Sequence, residues 1–281
     1  MGVQQIVASI VGYQPATKTL RLNDSTAHVI ELRLKPRPVQ MSTMEVEARD
    51  PVEWKKYLEK FRGQFLGTTA NAEQCRLINP EVLDFSYDES SDRLIATARA
   101  PLEFENRALG YHVECILALF LYSPEAFKYT GLTAFTPLKP ADSLEAKRWK
   151  DARRDSYAGS KRHFFHAVVQ GKARQEGFVV NTLKRGWSEN GLARPLGFEL
   201  DPDKLLESGE LPYERRLSIQ IPVQVIYARD GLRRVSVFDL NAPVVTVFTN
   251  GLTTDPLSMW IFGYWSTQRA ADMLPADYEP E

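Results

Sequence analysis

An α+β fold, mainly antiparallel β-sheet with one long packed helix and preceded by an incomplete β-sandwich, is what this 281-residue sequence predicts. Three features carry that prediction. Residues 1–48 are strand-rich and free of helical pattern; paired apolar runs around turn residues fill most of the remainder; and one long helical pattern runs from about Ser143 to Gln175. The first block is assigned to residues 1–48 and a separate α+β domain to residues 49–281.

Each element follows from local chemistry. "IVASIVGY", "TKTLRL" and "AHVIELRL" are rich in β-branched residues, and "YQPAT" and "LNDST" between them carry turn residues. In the third, Ile30, Leu32 and Leu34 alternate with Val29, Glu31 and Arg33, which predicts one buried face. "KPRPVQ" is a stiff prolyl spacer, and "TMEVEA" offers a further strand. At Asp50 the pattern turns helical. Asp50 caps, Pro51 takes the first helical position, Trp54, Leu58, Phe61 and Phe65 recur at helical spacing, and Gly67 ends the run. "VLDFSYDESSDRLIATARA" and "GYHVECILALFLYSPEAFKYTGLTAF" read as two hairpins of one sheet. "RLSIQIPVQVIYARDGLRRVSVFDL" is a third, turning at Asp230-Gly231, and "PVVTVFTNGLTTDPLSMWIFGYW" a fourth, with Asn250-Gly251 ahead of its return strand. "STQRAADML" closes the chain as a helical turn.

Composition bounds the function. A formal net charge of −1 argues against a dedicated nucleic-acid-binding or membrane-surface protein. Two cysteines, Cys75 and Cys115, are too few for a disulfide framework or a thiolate zinc cluster, although one bridge between them stays open. No apolar run reaches the ~18–20 residues of a membrane helix. The N-terminal "MGVQQIVASIVGY" lacks the cationic start and cleavage site of a signal peptide.

The constellations that suggest chemistry mostly fail on geometry. "HVIE", His28 to Glu31, has the H-x-x-E spacing of zinc carboxypeptidases, with His163 available downstream as a third ligand. In a strand, however, residues i and i+3 face opposite sides. His163 and His166 are neighbours on the long helix, yet no H-E-x-x-H accompanies them, and no G-x-S-x-G elbow exposes Ser160. The residues therefore predict no catalytic set, no metal and no cofactor.

Charge is more informative. Residues 145–185 hold eleven Lys or Arg against four Asp or Glu, within a chain that is almost neutral. The helix is expected to bury Trp149, Ala152, Ser156, Ser160, Phe164 and Ala167. His163 would border that stripe, His166 would be mostly exposed, and Arg153, Arg154, Lys161 and Arg162 would lie at its margins or on the open face. With Tyr157, His163, Trp265 and Arg269, these cations form the candidate binding set. An anionic glycan, a lipid head group or an acidic envelope protein is the expected partner, the oligomeric state being open. Trp265 is also readable as an aromatic plug that closes the core.

The opening "VASIVGYQPATKTLRL…VIELRLKPRPVQMSTMEVEA" resembles the last strands of the carboxypeptidase-like regulatory domain, a transthyretin-like β-sandwich. The motifs "FLGTTANAEQCRLINPEVLDFSYD", "APLEFENRALGYHVE", "RRDSYAGSKRHFFHAVV" and "GYWSTQRAADMLPADY" are similar to an uncharacterised region that follows this domain in exported proteins of Gram-negative envelopes. The resemblance implies a non-enzymatic binding or scaffolding protein of the periplasm or outer membrane. A hydrolase using the His163 region, metal-assisted or not, is the alternative. It also implies that the first strands of the sandwich and a signal peptide are missing before Met1, leaving an unpaired sheet edge near residues 3–13.

Overall fold

The computed structural model describes residues 2–8, 13–14, 16–22, 27, 29–36, 51–124, 126–183, 197–254 and 258–280. The chain falls into two compact units, residues 1–56 and 57–281. The fold is mainly antiparallel sheet with a few helices, as the sequence predicts.

In the first unit, β1 (Gly2–Ala8) pairs antiparallel with β3 (Ala16–Leu22), from Gly2 opposite Leu22 to Ala8 opposite Ala16. The two-residue β2 (Tyr13–Gln14) pairs with β4 (Lys35–Pro36). The expected third strand differs. Residues 29–34 alternate in exposure as predicted, with Val29, Glu31 and Arg33 exposed and Ile30, Leu32 and Leu34 half-buried, but they join no ladder. Pairing is confined to Lys35–Pro36, where Pro36 has no N–H to extend it. His28, "TMEVEA" and the capping Asp50 lie outside the described residues.

The second unit has two cores. Helix α1 (Pro51–Leu66), from Tyr57 onward, lays Phe61, Phe65 and Leu66 on a six-stranded sheet. After the short α2 (Ala70–Glu73) come β5 (Cys75–Leu77), β6 (Leu83–Asp88), β7 (Arg93–Ala98), β8 (Leu102–Asn106), β9 (Tyr111–Ser123) and β10 (Ala126–Pro137). The long β9 pairs with β8 near one end, with β7 near the other, and with β10 along its length. Both predicted hairpins of this sheet, β6–β7 and β9–β10, are present.

The single helix expected from Ser143 to Gln175 is two helices, α3 (Ser143–Tyr157) and α4 (Lys161–Val169). Gly159, between them, has φ of +64°, a left-handed conformation that no continuing α-helix adopts. Ser160 then restarts the helix, its hydroxyl accepting from the His163 N–H at 3.1 Å. The periodicity of apolar residues passes through the break unchanged, so the break is invisible to it.

Strand β11 (Phe178–Thr182), unassigned in the sequence, precedes β12 (Glu199–Leu200), β13 (Glu207–Ser208), β14 (Glu214–Leu217), β15 (Val223–Arg229), β16 (Leu232–Leu240), β17 (Val245–Phe248) and β18 (Met259–Gly263). They form a five-stranded sheet, β12-β11-β15-β16-β18, and a three-stranded one, β13-β14-β17. Asp230 and Gly231 take φ of +52° and +78°, the primed turn expected of the third hairpin. The fourth hairpin is reduced to a stub, a single antiparallel bridge between Val247 and Thr253, and its two predicted strands do not pair with each other. Asn250-Gly251 does reverse the chain, with Phe248 N–H donating to the Leu252 carbonyl at 2.8 Å. However, β17 pairs with β14, and β18 returns to β16. Alternation predicts that a strand exists, and leaves its partner to tertiary packing. Phe164, Phe165, Ala167 and Val168 of α4 close the second core over these sheets, with Phe178, Tyr227, Phe238, Val247 and Trp265. A closing α5 (Tyr264–Thr267) and a 3-10 turn at Ala270–Asp272 lead to the final segment.

Candidate functional site

The predicted binding residues gather around the α3–α4 junction. Asp142 caps α3, accepting from Glu145 N–H at 2.8 Å, while the Glu145 carboxylate accepts from Ala141 N–H at 2.7 Å. This fixes the start of a helix whose buried side carries Trp149, Ser156 and Tyr157. The Trp149 indole donates to the Arg107 carbonyl at 2.7 Å. One turn on, Arg153 Nε donates to the Leu109 carbonyl at 2.7 Å, with the guanidinium 4.2 Å from the centre of the Tyr111 ring. Arg153 thus docks α3 onto the β8–β9 turn and is half-buried there.

The junction is built around His163, which is 7% exposed. Its Nδ1 lies 2.9 Å from the Gly159 N–H, which can only donate, so Nδ1 accepts. In the neutral ring the proton is then on Nε2, which points at Glu176 Oε2 at 2.5 Å. The ring is lined by Tyr157, Phe178 and Tyr227. Burial pulls the His163 pKa below its ordinary value, although Glu176 pulls the other way. Trp265 Nε1 donates to the Gly159 carbonyl at 2.8 Å, and Arg234 donates to the carbonyls of Asp155 and Ala158 and to the Asp155 carboxylate. His166 hydrogen-bonds Tyr157 Oη through Nδ1 at 2.8 Å; burial and the nearby Arg162 lower its pKa, and burial pushes the Tyr157 phenol up to about 12.

Arg162 is a clamp. Its donors reach the carbonyls of Asn250 (3.1 Å), Pro275 (2.5 Å), Ala276 (2.6 Å) and Tyr278 (2.8 Å). Burial lowers its pKa from the usual guanidinium range. Lys161, half-buried, reaches Thr253 Oγ1 at 3.5 Å. Arg154 alone of the expected cations is fully on the open face, paired at 3.1 Å with Asp151, which also binds Lys147 at 2.9 Å.

The structure therefore sorts the predicted set. Trp149, Ser156, Ser160, Phe164 and Ala167 are buried as expected, and Ala152 is half-buried. His163 lies within the core, where the sequence places it at the edge, and His166 is half-buried where exposure is expected. Arg153 and Arg162 turn inward onto carbonyls, a course open to a guanidinium because its five donors can be satisfied without water. Trp265 is the plug: it is buried, stacked on Phe238, while Arg269 lies 3.7 Å over the Phe127 ring. Tyr157 is likewise buried.

Several residues escape sequence reasoning. Glu176 follows His163 by thirteen positions, and only the reversal of the chain after α4 brings them together. Asp272, in the closing turn, accepts from Asn71 Nδ2 at 2.8 Å and Thr69 Oγ1 at 3.0 Å, and Asn71 also donates to Ser156 Oγ at 2.9 Å. Burial raises the Asp272 pKa above the usual carboxyl value. Cys75 and Cys115 are free and buried, their thiols pushed up to about 12 by desolvation. Chemically, both ring nitrogens of His163 are engaged, and Ser160 Oγ serves the helix cap and not the imidazole. Among the described residues no group of three His, Cys, Asp or Glu could hold a metal ion, and no helix is long and apolar enough to cross a membrane. Comparisons with protein-family models, curated proteins and solved structures found no match to this chain.

Proposed function

We propose that this chain is a non-enzymatic binding or scaffolding protein of the Gram-negative cell envelope, and that the open face of α3 receives an anionic partner. The observation supporting this reading is a division among the cations. Arg153 and Arg162 are consumed by carbonyls inside the fold, whereas Lys147, Arg148, Lys150 and Arg154 are exposed along α3. Asp151 offsets part of that charge and leaves an excess of positive potential for a glycan acid or a lipid phosphate. The envelope assignment rests on the resemblance to the carboxypeptidase-like regulatory domain and the region that follows it. The hydrolase alternative is the weaker reading, because His163 has neither a free nitrogen nor a nucleophile in reach.

The test is a triple reversal, Lys147→Glu, Arg148→Glu and Lys150→Glu. Binding to phosphatidylglycerol vesicles or to polygalacturonate should fall at least tenfold, and the melting temperature should change little, since exposed substitutions cost within about 0.5 kcal/mol. Equal binding by the triple variant would refute the assigned face. Turnover of ester or peptide substrates that disappears in His163→Gln would favour the hydrolase.

A further inference from the structure

We infer that Arg162, Tyr157 and the Asn250-Gly251 turn form a recognition seat for a turn-forming acidic peptide of another protein, which the chain's own Leu274–Pro280 segment occupies as an intramolecular stand-in. One guanidinium takes the carbonyls of Pro275, Ala276 and Tyr278, and so reads main chain more than side chain. All three carbonyls belong to one turn, in which Tyr278 N–H donates to the Pro275 carbonyl at 3.0 Å. Tyr278 sets its ring edge-on to Tyr157 at 5.8 Å.

The other wall of the seat lies close against α4. A Cβ at Gly251 would lie 2.2 Å from the Arg162 carbonyl, so only glycine lets the turn approach α4 and present the Asn250 carbonyl to the guanidinium. Charge is complementary. Asp277 and Glu279 are exposed on the segment, their fields act on Arg162, and that of Glu279 reaches His166, beside which Lys172 is also exposed. A competing peptide should therefore be acidic and carry an aromatic residue. Tethering gives the resident segment an effective concentration in the millimolar range, so the intact chain should bind such a peptide weakly.

The experiment uses the full chain and a fluorescein-labelled LPADYEP peptide, followed by fluorescence anisotropy. Asp277→Lys with Glu279→Lys repels the resident segment without touching the seat. Hydrogen exchange at residues 276–279 should then rise, and peptide affinity should increase at least tenfold over the unaltered chain. Adding Arg162→Gln should abolish that gain. Should this last variant fail to fold, the first pair of measurements still decides. A segment that stays protected after charge reversal, or one that is released without any gain in peptide affinity, overturns the inference. The residues involved are separate from the exposed α3 cations, so the triple reversal on α3 should leave peptide binding unchanged.

Discussion

At the scale of single residues, His163 shows how a titratable group becomes structure. Its folded pKa is lowered by burial, so the native state holds it neutral while the unfolded chain protonates near the ordinary imidazole value of about 6.5. The unfolded state then binds more protons below that pH. Stability is fully present above about pH 6.5 and is lost as pH falls toward the folded pKa. Urea midpoints measured at pH 7.5 and 5.0 should therefore differ in the unaltered protein. The difference should shrink in His163→Gln, leaving the contribution of His166, whose pKa burial also lowers. An undiminished difference would mean that His163 does not titrate in this range. The sequence shows two histidines and a basic run; it cannot show that Gly159 N–H and Glu176 take both nitrogens, because those partners are brought in by a left-handed kink and a chain reversal.

At the scale of elements, the helix pair α3–α4 depends on its break and on the face it buries. Phe164 is wholly buried against Phe178 and Trp265, so Phe164→Ala should cost about 3–5 kcal/mol in chemical denaturation. Gly159→Ala forces a left-handed alanine, at about 1–2 kcal/mol, and sets a Cβ 2.7 Å from the Tyr227 ring. Its denaturation midpoint should fall by at least that amount, and an unchanged midpoint would show that the junction relaxes freely. Elements were legible where local pattern decides them: α1, the β6–β7 and β9–β10 hairpins and the Asp230-Gly231 turn. They were illegible where pairing is long-range, as for β17 and β18, or where a polar cap such as Ser160 interrupts an unbroken apolar stripe.

At the scale of the whole second unit, the closing residues tie both cores together. Ala270 and Ala271 complete the core that α1 covers, Asn106 Nδ2 donates to the Ala271 carbonyl at 2.8 Å, and Asp272 joins Thr69 and Asn71, the latter bonded to Ser156 of α3. Asp272→Ala leaves those donors without their acceptor, at about 1–3 kcal/mol. The loss should appear as one cooperative transition at lower urea; two separate transitions would show that the cores unfold independently. "STQRAADML" suggested a closing helical turn, but nothing in its pattern revealed that it seals a core begun more than two hundred residues earlier.

That separation has a consequence for synthesis. A ribosome adding about 5–20 residues each second needs roughly 7–27 s to pass from Pro137, where β10 ends, to Ala271. Throughout that interval the nascent sheet of β5–β10 stands with Phe65 and Phe104 packed but without the alanines and the Asn106 partner that finish it. Exposed apolar surface on a growing chain is what holdase chaperones bind. Yield in cells should therefore depend on chaperone supply more steeply than the equilibrium stability of the finished protein would suggest.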